Sequence, residues 1–300
     1  MLDIPKFNFS IHPLALTLAV TLMILYPIAL SHLARRRNLR LGKHAEAKGH
    51  NLRNGFSRVS NKKILSFYSG VLFAIVAIGW PLGDLARHYS LLFYLMSNSI
   101  LALFATPLTL IGLPRWTIAE LTKNRHVDKV LRYLTRPVAS TIIFTIVLST
   151  TMMPSVVALE SESSVAWDGA HLFLVGAAAL MWSTGLNLLP GLRKLSSVGR
   201  VLFFFLQSLV PTFPAVVLLF AKRPLYPPYF FEHKYLGLSP VTDQQLSGGL
   251  VKFITIAVFW SVAGVILARA NKDEELGLDN EELTWDDVER EFQRSDARAT

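Results

Sequence analysis

The sequence predicts an all-α protein, an integral membrane bundle of seven transmembrane helices with its N-terminus outside and its C-terminus in the cytoplasm. Three observations lead there. Hydrophobic residues make up 52% of the 300 and charged residues only 17%, where a soluble domain carries about a quarter charged, and mean hydropathy is +0.40. Apolar stretches of the roughly 20 residues that a helix needs to cross a bilayer recur along the chain. Basic side chains concentrate in alternate loops, which orients such a bundle.

The stretches run Pro13 to Leu33, Ile64 to Leu82, Tyr89 to Gly112, Val138 to Leu159, Gly169 to Leu189, Val201 to Ala221 and Leu246 to Ala268. The first is too long for a signal-peptide core and no small-x-small cleavage pattern follows it, so it is expected to remain as a span. Between the first and second lies the basic loop of residues 35 to 63; Arg115 to Arg136 and the group Arg193, Lys194 and Arg200 form two more. The intervening connections, "GDLAR" and "ESESSVAWD", are poor in cations. The positive-inside rule then puts the basic loops in the cytoplasm, next to anionic lipid, and argues against nucleic acid as their partner. Prolines sit mostly at span ends, with Pro211 and Pro214 inside the sixth, where a kink is expected. The seventh opens with "SPVTDQQLSGGL", residues 239 to 250, in which Thr242 and Gln245 have the spacing of a capping box.

Residues 1–270 form one membrane domain, with 26 basic and 10 acidic side chains, and 271–300 an acidic cytoplasmic tail with 4 and 11. In the tail, Thr284 and Asp287 have cap spacing for a short helix that would place Trp285, Val288 and Phe292 on one side. The chain has no cysteine, which excludes disulfides and thiolate metal sites. No phosphate-binding or dinucleotide fingerprint is present. Span interiors lack Asp and Glu, and Lys252 lies close enough to the start of the seventh to snorkel outward; both facts argue against an ion-coupled transporter.

Chemistry is then sought at the outer ends of the spans. His12, His88, His171 and His233 fall there, with Asp84, Asp168, Asp243, Met152 and Met153 nearby. Imidazole with thioether suits copper, especially Cu(I). Asp168 and His171 are three apart, so the acid could orient the imidazole; equally, Asp168 could be an N-cap and the methionines packing material. Tyr94 and Asn98 share a face of the third span, where hydrogen bonding between helices stands beside ligand contact.

The stretches "IGWPLGDLA", "FATPLTLIGLP", "HLFLVGAAALMWS", "LFAKRPLYPPYF" and "GLSPVTDQQLSGGL", in that order, carry a resemblance that covers most of the chain. The sequence resembles the seven-helix CtaG-type cytochrome c oxidase assembly factors of bacteria, the membrane-integral family and not the single-span copper chaperone that shares the name. The resemblance implies a multi-pass protein of the bacterial cytoplasmic membrane, not an enzyme, that assists maturation of a haem-copper oxidase. It implies as partner an oxidase subunit or assembly intermediate, and copper as the metal delivered at the outer face. It also marks Asp243, Gln244 and Gln245 as a signature facing the oxidase or its metal. Family members often carry H-M-x-x-H near the start of the third span and H-x-x-x-H opening the fifth. Here those positions read Tyr94, Leu95, Met96, Ser97, Asn98 and Trp167, Asp168, Gly169, Ala170, His171, so His171 is the one matching imidazole and Met96 a soft neighbour. The copper candidates are therefore His171, His88, Met96, Met152 and Met153, with Asp168, Asp243, Gln244, Gln245, Tyr94 and Asn98 supporting them or facing a partner. The replaced histidines also support a metal-free scaffold or accessory subunit of a respiratory complex. A haem protein with His88 and His171 as axial ligands is a third reading, and self-association into a homo-oligomer stays open.

Overall fold

A computed structural model describes residues 17, 20–32, 59–79, 81–122, 124–189, 194–209, 212–229 and 237–275. Among these the regular structure is all helical. Five helices are long and apolar enough to cross a membrane, or six if one bent pair counts as a span. The expected seven are not all found among the described residues: the fourth stretch, Val138 to Leu159, counts only as that bent pair, Arg125–Leu134 with Pro137–Thr151, and of Pro13 to Leu33 a shorter apolar helix, Val20–His32 (α1), is described. It belongs to the bundle: the Tyr26 hydroxyl donates to the Gly112 carbonyl at 3.0 Å and its ring stacks on Phe67 at 3.8 Å.

α2 (Asn61–Ile78) rises from the basic side to a short break at Gly79, after which α3 (Leu82–His88) continues at the opposite end. There α4 (Leu91–Ile100) turns back, continues through a π-helical segment at Leu101–Ala105 and ends as α5 (Thr106–Gly112). A π turn leaves carbonyls without their usual helical partners, and here Thr106 Oγ1 donates to the Leu101 carbonyl at 2.8 Å and Trp182 Nε1 to the Ala102 carbonyl at 2.9 Å. α6 (Arg115–Leu121) and α7 (Arg125–Leu134) lie at the basic end.

α8 (Pro137–Thr151) rises again, but the expected fourth span, Val138 to Leu159, is broken at Met152 and Met153 before α9 (Pro154–Glu162). Pro154 cannot donate to the helical ladder, which accounts for the break. α10 (Ser164–Gly185) starts five residues before the apolar run that marks it in the sequence, because Ser163 caps it: its hydroxyl accepts from Ala166 N at 3.3 Å. Asp168 therefore lies inside the helix and is not its N-cap. The sixth stretch is two helices, α11 (Ser197–Leu209) and α12 (Thr212–Phe220); Pro211, expected to kink it, lies outside the described residues. α13 (Pro240–Glu275) is the longest. Its cap is Ser239, whose hydroxyl accepts from Thr242 N at 3.1 Å, so the helix begins three residues before the Thr242–Gln245 box would start it.

α13 packs along α11, α12 and α4, while α2 lies against α5 and α10 against α8. The approaches are close: a Cβ on Gly248 would stand 2.6 Å from the Ala215 carbonyl oxygen, and one on Gly70 2.6 Å from Thr109 N. Small residues at such crossings are the means by which helices associate in lipid. Lys252 does not simply extend outward; Nζ is 3.4 Å from the Ser208 carbonyl in the last turn of α11, where helical carbonyls lack partners. The tail beyond residue 275, with Trp285, Val288 and Phe292, lies outside the described residues.

Candidate functional site

The end of the bundle opposite the basic helices gathers α3, α9, the 3-10 turn Pro227–Tyr229 and the first turns of α4, α10 and α13. Several of the orphaned helix-end atoms find a partner from a distant part of the chain. Asp243, 4% exposed, caps α4. Its Oδ2 accepts from Leu91 N at 2.8 Å, and its Oδ1 from the Ser90 hydroxyl at 2.5 Å and Leu92 N at 3.3 Å. At helix C-termini the donors are phenols. Tyr94 Oη donates to the Thr151 carbonyl at 2.8 Å, Tyr226 Oη to Met152 at 2.5 Å and Tyr229 Oη to Ala86 at 2.7 Å. Burial holds the Tyr226 and Tyr229 hydroxyls well above the usual phenol range, so both remain donors at any physiological pH.

The two glutamines beside Asp243 hold the segment that supplies those tyrosines. Gln244 Oε1 accepts from Leu225 N at 2.9 Å and its Nε2 is 3.5 Å from the Arg223 carbonyl, while Gln245 Nε2 donates to the Ala221 carbonyl at 3.2 Å. "DQQ" and "LFAKRPLYPPYF" are thus two halves of one clasp. Asp243 and Gln244 are buried within it, and their polar atoms point into the molecule.

Beneath the clasp lies a buried polar group that the sequence reading divides between helices. Tyr94 Oη is also 3.0 Å from Glu160 Oε1, and Glu160 is 1% exposed. Burial pushes the Glu160 carboxyl up from 4.5 to about 8, against the opposing effect of the Tyr94 hydrogen bond. Protonated Glu160 can donate to the phenol oxygen while the phenol donates to Thr151, which gives each bond its own proton. Next to it the Trp167 ring lies 6.1 Å from Tyr94 and 4.3 Å from the His171 ring, centroid to centroid. His171 Nδ1 stands 2.7 Å from the Trp167 carbonyl. A carbonyl only accepts, so Nδ1 carries the proton and Nε2 the lone pair. Asn98 Nδ2, Glu160 Oε2, Trp167 Nε1 and His171 Nε2 are all buried without a hydrogen-bond partner. Asn98 and Met152 border a small cavity floored by Phe144 and Phe259.

The copper candidates separate. His171 and Met152 are buried at this end, whereas Met153 is half exposed and Met96 is only partly buried. His88 closes α3, but its side chain, like all of His12 and His233, lies outside the described residues. His171 is oriented by a backbone carbonyl and not by Asp168. Among the described residues no three His, Cys, Asp or Glu side chains stand close enough to hold a metal ion. Glu160, Trp167, Tyr226 and Tyr229 are missing from the sequence-based candidates. Trp167 stands where the resemblance places a histidine and both tyrosines lie in "LFAKRPLYPPYF", but the one cue to Glu160 is its place at the edge of an apolar run.

Neither a curated protein nor a solved structure has a significant match to the chain. A family model, that of the cytochrome c oxidase caa3 assembly factors (Caa3_CtaG), matches residues 48–273, well over half of the sequence and all of the clasp and the buried polar group. The chain belongs to the cytochrome c oxidase caa3 assembly factor family.

Proposed function

We propose that the protein assists maturation of a haem-copper oxidase as a non-catalytic membrane scaffold, holding an oxidase subunit or assembly intermediate at the outer face of the bacterial cytoplasmic membrane. The family match supplies the oxidase. The scaffold reading rests on how the polar side chains at the capped end are used: "DQQ" and three tyrosines bind other parts of the same chain. Among the described residues the donor set does not fit a resident copper ion: it offers one imidazole nitrogen and one buried thioether, Nε2 has no hydrogen-bond partner, and no three His, Cys, Asp or Glu side chains come together.

Copper delivery keeps one observation in its favour: the lone pair of His171 Nε2 is buried and unpaired, and a transient two-ligand Cu(I) site needs little more. His171→Ala separates the readings. A scaffold with this substitution reaches the membrane and supports an oxidase with normal copper content and activity. Copper delivery requires the variant to yield copper-deficient oxidase, partly rescued by added copper, with the amount of the factor unchanged. Measured oxidase copper in a well-expressed variant strain decides between them.

A further inference from the structure

At the basic end, α7 stands apart from the bundle in a particular way. It meets α8 at 80°, so it runs across the direction of the spans. The junction enforces this: Arg136 precedes Pro137, which disfavours helical backbone, and it is extended with φ −61° and ψ 138°. Asn124 fixes the other end, its Oδ1 accepting from His126 N at 3.0 Å. No residue of α7 is buried. At helical spacing Val127, Val130, Leu131 and Leu134 share one face, and Arg125, Asp128, Lys129 and Arg132 the other. Leu131 and Leu134 turn partly inward, while Val127 and Val130 are 41% and 55% exposed and Val138, at the start of α8, is 71% exposed. The polar face is net cationic. Asp128 is taken up by Arg132 at 2.8 Å, and Arg136 lies over the Tyr133 ring at 5.2 Å.

A helix across the spans with an uncovered apolar face and a cationic back fits a membrane surface better than bulk water, and anionic headgroups supply the complementary charge. We propose that α7 is an interfacial helix, with Val127 and Val130 immersed at the acyl boundary and Arg125, Lys129, Arg132 and Arg136 engaging phosphate oxygens of anionic phospholipid. The assignment rests on the chain being a membrane protein and is independent of what it assembles.

The cysteine-free sequence permits single nitroxide labels at Val127→Cys, Val130→Cys, Lys129→Cys and Arg132→Cys in the full chain, reconstituted in phosphatidylcholine vesicles with or without phosphatidylglycerol. The first two sites are exposed to dissolved oxygen and shielded from a water-soluble nickel chelate; the last two show the reverse. Spin-labelled phosphatidylglycerol is enriched around the protein over phosphatidylcholine, and Arg125→Gln and Lys129→Gln each reduce that enrichment by roughly fivefold at low salt. Equal exposure of all four sites to the chelate means a solvated helix and overturns the proposal. Shielding of positions 127 and 130 from both reagents means a second copy covers them and also overturns it. Enrichment that the two substitutions leave unchanged overturns the anionic-lipid part.

Discussion

Asp243 and Glu160 are both buried carboxyl groups at the same end of the bundle, and their hydrogen-bond partners differ. Asp243 accepts from two backbone N–H groups and a hydroxyl. Glu160 meets one phenol, and burial raises it to about 8. Between 4.5 and about 8 the folded chain therefore holds a proton on Glu160 that the unfolded chain does not, and stability falls as pH rises through that window and levels off above it. Glu160→Gln cannot titrate and keeps a neutral donor, so its thermal midpoint in detergent should gain on the wild type as pH rises from 4.5 to about 8. Parallel curves for the two proteins would mean that Glu160 is not protonated in the folded state. The sequence showed the first acid and concealed the second: Asp243 sits in a recognisable motif, whereas "ESESSVAWD" reads as a solvated loop. What buries Glu160 is the break at Pro154, which turns α9 back over the tyrosines, and that is a tertiary event.

At the scale of elements, five of the seven stretches located by hydropathy are helices long and apolar enough to span among the described residues, and the ends are misplaced because they are set by caps and breaks. Ser163 and Ser239 begin α10 and α13 ahead of the apolar runs, and α8 stops before its run does. The π segment of Leu101–Ala105 has no cue in its own residues; the Trp182 donor that satisfies it comes from another helix. Close crossings can be tested directly. Gly248 admits the α12 backbone, with a Cβ there placed 2.6 Å from the Ala215 oxygen, whereas a Cβ on Gly264 meets nothing within 4 Å. Gly248→Val should force α12 and α13 apart at a cost of about 1–3 kcal/mol, measurable as a lower thermal midpoint, and Gly264→Ala on the same helix should leave the midpoint unchanged or slightly raised. Equal effects of the two would remove the crossing as a source of stability.

For the whole molecule, the proposed function depends on which end faces out. The clasp end carries "LFAKRPLYPPYF" and the opening of α13; the opposite end carries α6, α7 and the last turn of α13, with Arg115, Arg125, Lys129, Arg132 and Lys272. The orientation proposed from the positive-inside rule keeps these cations on the cytoplasmic side and sets the clasp outside. Glu162 at the clasp end, and Arg125 and Lys272 at the other, are exposed, so cysteine at any of them leaves the packing untouched. In intact spheroplasts a membrane-impermeant maleimide should label Glu162→Cys, and should reach Arg125→Cys and Lys272→Cys only after permeabilisation. The reverse pattern would turn the bundle over. The clasp would then face the cytoplasm, and holding an oxidase subunit at the outer surface would be ruled out whatever His171 does.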